Sequence, residues 1–125
     1  METIYETEVT EKGSNMDELR SEKIIILFKD DAPEELRNYC VLHNKNMLKE
    51  EIKTGYTLEI NDKSYKITAV GELVNKNLAE LGHISICFTG KEIAELPGSL
   101  YVEGNELPEI KKGDVIRIKK DVDKK

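Results

Sequence analysis

Polar and apolar positions alternate along much of this chain, and the alternation sets most of its predicted elements. Near the start, Ile4, Glu6, Glu8 and Thr10 take one parity and Tyr5, Thr7 and Val9 the other, the pattern of a half-buried strand that Gly13 and Ser14 end. Asn15 stands where an N-cap would open a short helix over Met16 to Arg20. Ile24 to Phe28, preceded by Lys23, is a continuous, largely β-branched run, as expected of a strand buried on both faces. Asp31-Ala32-Pro33-Glu34 has the form of a capping box, which predicts one or two helical turns over Glu34 to Asn38. Tyr39 to His43 then reads as a strand that runs out into the polar stretch Asn44 to Asn46.

The second half repeats this economy. Thr57 to Ile60 and Ser64 to Val70 are two alternating runs joined by Asn61-Asp62-Lys63, a hairpin signature. Leu73 to Leu81 has helical spacing, and Gly82 follows where a left-handed residue would end the helix. His83 to Phe88 alternates again, with Ile84, Ile86 and Phe88 on one face and His83, Ser85 and Cys87 on the other. Ser99 to Glu103 and Val115 to Lys119 supply further strands. The segments from Ile52 to Ile60 and from Ile110 to Ile118 share the spacing I-K-x-G-x-x-[L/I]-x-I, each a glycine turn feeding a strand.

About six to eight short strands with two or three helical segments, in a chain of 125 residues, predict a mostly-β fold. The expected architecture is a small closed or nearly closed β-barrel, with a split α+β sandwich as the alternative. One domain over 1–119 accounts for the pattern, followed by a charged tail over 120–125 that is expected to fray.

Composition narrows the function. The net charge of -6 lacks the basic stripe that nucleic-acid backbones require, so proteins or small molecules are the expected partners. The start carries acidic residues where a secretory signal has a basic segment followed by an apolar one, which predicts a cytoplasmic location. The run Ile24 to Phe28 falls far short of the roughly 20 apolar residues of a spanning helix, so no direct membrane insertion is expected. Cys40 and Cys87 are expected to be free thiols in such a compartment.

Glycine-rich phosphate loops, Cys-x-x-Cys, His-Glu-x-x-His and Gly-x-Ser-x-Gly are all missing from the sequence, so the candidate chemistry narrows to His43 and His83. A neutral imidazole near pH 7 can accept and surrender a phosphoryl group. Each histidine also has a plain structural role open to it: His43 at a strand end, His83 capping the carbonyls of the preceding helix. No spacing selects the further ligands of a metal site, and no cofactor is expected. Cys40 and His43 point to opposite faces of a strand, which disfavours a cysteine nucleophile paired with that histidine.

Ala32-Pro33, Leu36, Tyr39-Cys40-x-x-His43, Thr68-Ala69-Val70-Gly71, Asn77-Leu78-x-Glu80-Leu81-Gly82-His83, Phe88 and Pro97-Gly98 follow one another in an order and spacing that resembles the glucitol/sorbitol-specific IIA proteins of the bacterial sugar phosphotransferase system. The resemblance implies a phosphotransferase component: the phosphocarrier protein HPr, charged from phosphoenolpyruvate by enzyme I, donates to a IIA histidine. That histidine passes the group to a cysteine of IIB, while the membrane component IIC moves the sugar. It also implies that the histidine of Tyr-Cys-x-x-His, His43 here, is the phosphorylated nucleophile, with His83 as a possible auxiliary. Some relatives carry another histidine where this chain has Lys45. An apolar patch with a charged rim is expected around an exposed His43, with Asn44, Lys45 and nearby backbone amides as donors to the phosphoryl group. The alternative is a non-catalytic β-barrel interaction or regulatory module in which both histidines are structural. The sugar, the oligomeric state (a homo-oligomer stays possible) and the phosphorylated nitrogen stay open at this stage.

Overall fold

The structure is a computed structural model that describes residues 2–104 and 107–120. Strand β1 (Glu2–Lys12) turns Tyr5, Thr7 and Val9 inward and leaves Glu6 and Glu8 exposed, following the parity of the sequence. Ile4 is buried as well, because the pairing register slips between Thr3 and Tyr5, and such a bulge interrupts strict alternation. A short 3-10 helix (Met16–Glu22) follows, without the Asn15 side-chain cap; Asn15 instead donates to Glu18 Oε2.

Strand β2 (Ile24–Lys29) is covered on both sides, which accounts for its continuous apolar run. Ile25 and Leu27 face the main core, while Phe28 joins Ala32, Cys40 and Leu42 in a second cluster outside it. Helix α1 (Glu34–Arg37) begins at Pro33 with no side-chain cap, so the capping box read at Asp31 does not form. Proline already holds the φ of the entering turn, and the helix is one turn long.

Then come β3 (Cys40–His43), the hairpin β4 (Thr57–Ile60) and β5 (Lys63–Val70), α2 (Val74–Leu81), β6 (Ile84–Cys87), β7 (Ser99–Val102) and β8 (Val115–Lys120). Eight strands close a barrel in the order β1-β3-β2-β6-β7-β5-β4-β8, with β8 returning to β1. All neighbours are antiparallel except β2 with β3 and β6 with β7. The sandwich alternative is thereby set aside. The hairpin turn is tighter than the triplet read from the sequence: Ile60 pairs directly with Lys63, and Asn61 takes the left-handed conformation at φ 55°.

The interior is aliphatic, with Tyr65 and Phe88 in edge-to-face contact at 5.1 Å. Helix α2 presses Val74 and Leu78 into this core. The two segments of the internal echo are structural equivalents and direct neighbours. Gly55 and Gly113 both turn at positive φ, and Leu58 pairs with Ile118 as Ile60 pairs with Ile116. The tail expected from position 120 starts inside β8; 121–125 lie outside the described residues.

Candidate functional site

Parity decides where His43 goes. Val41 faces the main core and Cys40 and Leu42 face the outer cluster, so His43 continues the inward side of β3, opposite Val9 of β1. The exposed imidazole expected from the polar run after it is not what forms: His43 has 0% exposure. Asn44 and Lys45 are exposed, but the turn toward solvent starts one residue too late to carry the ring with it.

A buried imidazole has to be hydrogen-bonded, and this one is bonded at both nitrogens. Nε2 lies 2.7 Å from the carbonyl oxygen of Gly82. A carbonyl only accepts, so Nε2 carries the proton and Nδ1 holds the lone pair. The Thr7 hydroxyl donates to Nδ1 at 2.8 Å, and its oxygen accepts the Lys45 N–H at 3.0 Å. The Tyr5 hydroxyl donates to the Lys45 carbonyl at 2.7 Å, which leaves its oxygen 3.3 Å from Nδ1 without a proton to give. Burial lowers the His43 pKa below the ordinary 6.5; the Gly82 carbonyl, the Lys45 backbone and Asp30 oppose that shift without cancelling it. The ring is therefore neutral at pH 7.

Gly82 reaches the ring through the end of α2. It takes the left-handed conformation at φ 64°, as the sequence predicts, and its N–H and that of His83 bond back to the carbonyls of Leu78 and Asn77. This fixes the direction of its own carbonyl. A Cβ at position 82 would stand 2.8 Å from the Lys29 Cβ and 3.1 Å from the His43 Cε1, so the close approach requires glycine twice over.

His83 is brought near by chain connectivity alone. The carbonyl that His43 holds belongs to the Gly82–His83 peptide, but the His83 ring turns the other way. Its Nδ1–H donates to the Leu27 carbonyl at 3.1 Å, and the ring stacks on Phe28 at 4.3 Å. Cys40 points away from His43, and both cysteines are buried and free. Among the described residues, no group of three or more histidine, cysteine or acidic side chains is placed to hold a metal ion.

On the surface where β1 meets the segment after β3 lies a cleft of about 330 Å³ lined by Glu6, Thr7, Glu8, Asn44, Lys45 and Val115. Thr7 borders this cleft and its hydroxyl bonds Nδ1, whereas the His43 ring itself does not line the cleft. A larger cleft of about 690 Å³ beside Arg20 and Lys63 shares no residue with this one. Next to the site, Asn46 Nδ2 donates to the Ala79 carbonyl at 2.7 Å and ties the segment after β3 to α2. Met47 and Leu81, near that tie, are 75% and 48% exposed and supply apolar surface.

Residues 4–117 match the family described as the PTS system glucitol/sorbitol-specific IIA component. The chain belongs to that family. It is 34% identical to the glucitol/sorbitol-specific EIIA components of Shigella flexneri and of Escherichia coli strain K12, in each case over 94% of this chain and 95% of the relative. The crystal structure of a PTS system IIA component from Enterococcus faecalis V583 superposes with a TM-score of 0.79 at 29% identity, covering 90% of this chain and 97% of that one. A phosphocarrier role in a sugar phosphotransferase system follows from membership. Among the described residues, no helix is long and apolar enough to cross a membrane.

Within this IIA family member, Tyr5, Thr7 and the Gly82 carbonyl are the site residues that sequence reasoning did not single out. Thr7 alone carried a signal, being a polar residue on the buried parity between Tyr5 and Val9.

Proposed function

We propose that His43 is the residue that carries the phosphoryl group, taking it from phospho-HPr and giving it to a cysteine of IIB, in the cytoplasm, for uptake of a glucitol- or sorbitol-type sugar through IIC. The observation behind this reading is a neutral imidazole whose proton and lone pair are assigned to fixed atoms, bonded to a threonine that borders a surface cleft, in a IIA family member. Phosphoryl transfer needs orientation and charge stabilisation more than elaborate covalent chemistry, and such a ring supplies both. Exposed Met47 and Leu81 offer apolar contact to successive partners, and exposed Glu6 and Glu8 offer a rim of charge that suits a basic partner face.

A second reading has its own observation: complete burial with every ring nitrogen satisfied is also what a structural histidine shows, in a non-catalytic interaction or regulatory barrel. Incubation with enzyme I, HPr and phosphoenolpyruvate followed by intact mass separates the two. The expected result is a gain of one acid-labile phosphoryl group, absent from His43→Ala. No gain favours the second reading, and a gain that survives His43→Ala but not His83→Gln moves the role to His83.

A further inference from the structure

We infer that the loop before β7 is a second docking face, on the opposite side of the barrel from His43, for a lysine- or arginine-bearing aliphatic segment of the membrane component. The face itself is independent of the proposed relay, whereas its use as a tether rests on it.

The loop over 91–97 is built to hold its shape. Thr68 Oγ1 donates to the Lys91 carbonyl at 2.6 Å, the Leu96 N–H to the buried Tyr101 hydroxyl at 3.0 Å, and the Leu73 N–H to the Pro97 carbonyl at 2.8 Å. Its middle residue, Ala94, packs on Ala69, Cys87 and Tyr101, a small cluster outside the main core. On this fixed backbone the side chains are sorted against their hydrophobicity. Ala94 turns inward, while Ile93 and Leu96 are 77% and 58% exposed. Burying isoleucine or leucine stabilises a fold far more than burying alanine, so folding alone favours the reverse arrangement.

The exposed pair has a cleft beside it. It measures about 350 Å³ and is lined by Val70, Glu72, Ala94, Glu95 and Pro97. Leu96 lies in sequence between two of these residues and Leu73 follows a third, and Leu73 is exposed as well. The charged lining groups are the two carboxylates. Lys91 bonds Glu95 at 2.8 Å, while Glu72 forms no ion pair among the described residues.

An occupant that suits this cleft sets an aliphatic side chain against Leu73 and Leu96 and a cation beside Glu72. A second copy brings the same carboxylates and a net charge of -6, which opposes self-association through this face. An anionic lipid surface is repelled for the same reason. Cytoplasmic segments of membrane proteins, by contrast, carry an excess of lysine and arginine close to aliphatic spans, which is the chemistry required.

Position gives the face its use. Three strands separate β5, which carries Val70, from β3, which carries His43, in either direction around the closed barrel, so the two stand on opposite walls. A partner held at the loop leaves the histidine side open to two further proteins in turn. Retention beside IIC then raises the effective concentration of the chain at IIB.

Binding of the full chain to IIC, purified in detergent without IIB and followed by surface plasmon resonance, tests the face. The wild-type protein should bind, and less tightly as salt rises. Ile93→Asp and Leu96→Asp should each weaken binding about 10- to 100-fold, the scale of an interface anchor. Glu72→Lys should weaken it and flatten its salt dependence. These side chains are exposed, so urea midpoints and the rate of phosphate acceptance from phospho-HPr should match the wild type. Failure of the folded wild-type protein to bind IIC overturns the inference, as does binding that Leu96→Asp leaves unchanged. Loss of phosphate acceptance in folded Leu96→Asp places the loop in the HPr contact and removes the separate site. Self-association abolished by Leu96→Asp in sedimentation assigns the face to a second copy, and Leu96-dependent binding to phosphatidylglycerol vesicles assigns it to lipid; either result overturns the inference too. The proposed function falls on a different result, the absence of phosphate on His43.

Discussion

Gly82→Ala isolates what the close approach of α2 to the histidine is worth. Two costs add at this position. A non-glycine residue in the left-handed region costs about 1–2 kcal/mol, and φ here is 64°. The new methyl group would also stand 2.8 Å from the Lys29 Cβ and 3.1 Å from the His43 Cε1, inside ordinary contact, and forcing a methyl into packed surroundings costs about 1–3 kcal/mol. Together these predict a loss of about 2–5 kcal/mol. The chain contains its own control. Gly55 sits at φ 96° with nothing within 4 Å of the place a Cβ would take, so Gly55→Ala meets the backbone cost alone. Urea unfolding of the two variants under identical conditions measures both losses, and the difference between them is the steric share. If Gly82→Ala loses no more stability than Gly55→Ala, the claim that the Cβ collides with the histidine cage is wrong. The same variant should also weaken the Nε2–H bond to the carbonyl, visible as an upfield shift of that proton in the spectra of the folded protein.

Three further outcomes follow from the same contacts. Because burial lowers the His43 pKa below 6.5, the unfolded chain takes up a proton first as pH falls, so stability present above that value should drain away below it; His43→Gln, compared by urea midpoint from pH 7 to pH 5, should show a flatter profile, and a steeper one would contradict the sign. Tyr5→Phe removes the 2.7 Å bond to the Lys45 carbonyl and should cost about 1 kcal/mol in thermal or urea unfolding. Arg117 pairs with Glu6 and Glu59 on the barrel surface, so Arg117→Met should cost no more than about 1 kcal/mol, and less at high salt; a loss unaffected by salt would point to packing instead.

Where a strand was half-buried, its sequence was readable. The split of Ile84, Ile86 and Phe88 from Ser85 and Cys87, the two-sided burial of Ile24 to Phe28 and the glycine end of α2 are each local consequences of side-chain period or backbone freedom. Strand order was not readable, because the parallel neighbours β2 with β3 and β6 with β7 depend on crossovers whose direction no local pattern carries. The site divides along the same line. His43 stood out as a chemical type, but its burial depends on Thr7 and Tyr5, which reach it from another strand, and on a carbonyl, which no residue identity reveals. The polar letters after His43 suggested the surface, whereas the alternation before it held the better information. At Asp31 a capping pattern was present and unused, since Pro33 already set the entry to α1.

The closure of β8 onto β1 also bears on how the chain is made. Glu2 pairs with Lys120, so the first strand waits for the eighth before its outer edge is covered. At about 5–20 residues per second, that wait is on the order of ten seconds during synthesis. The cage around the histidine needs no such delay: Tyr5, Thr7, His43 and Gly82 are all present once residue 82 has emerged, and β1 can already pair with β3 through Val9 and His43. Contacts of such long sequence separation fold slowly, and an unpaired, alternating β1 is the edge that a nascent chain would expose in the interval. The site can therefore assemble on an open sheet, with the last strand sealing a barrel around chemistry that is already in place.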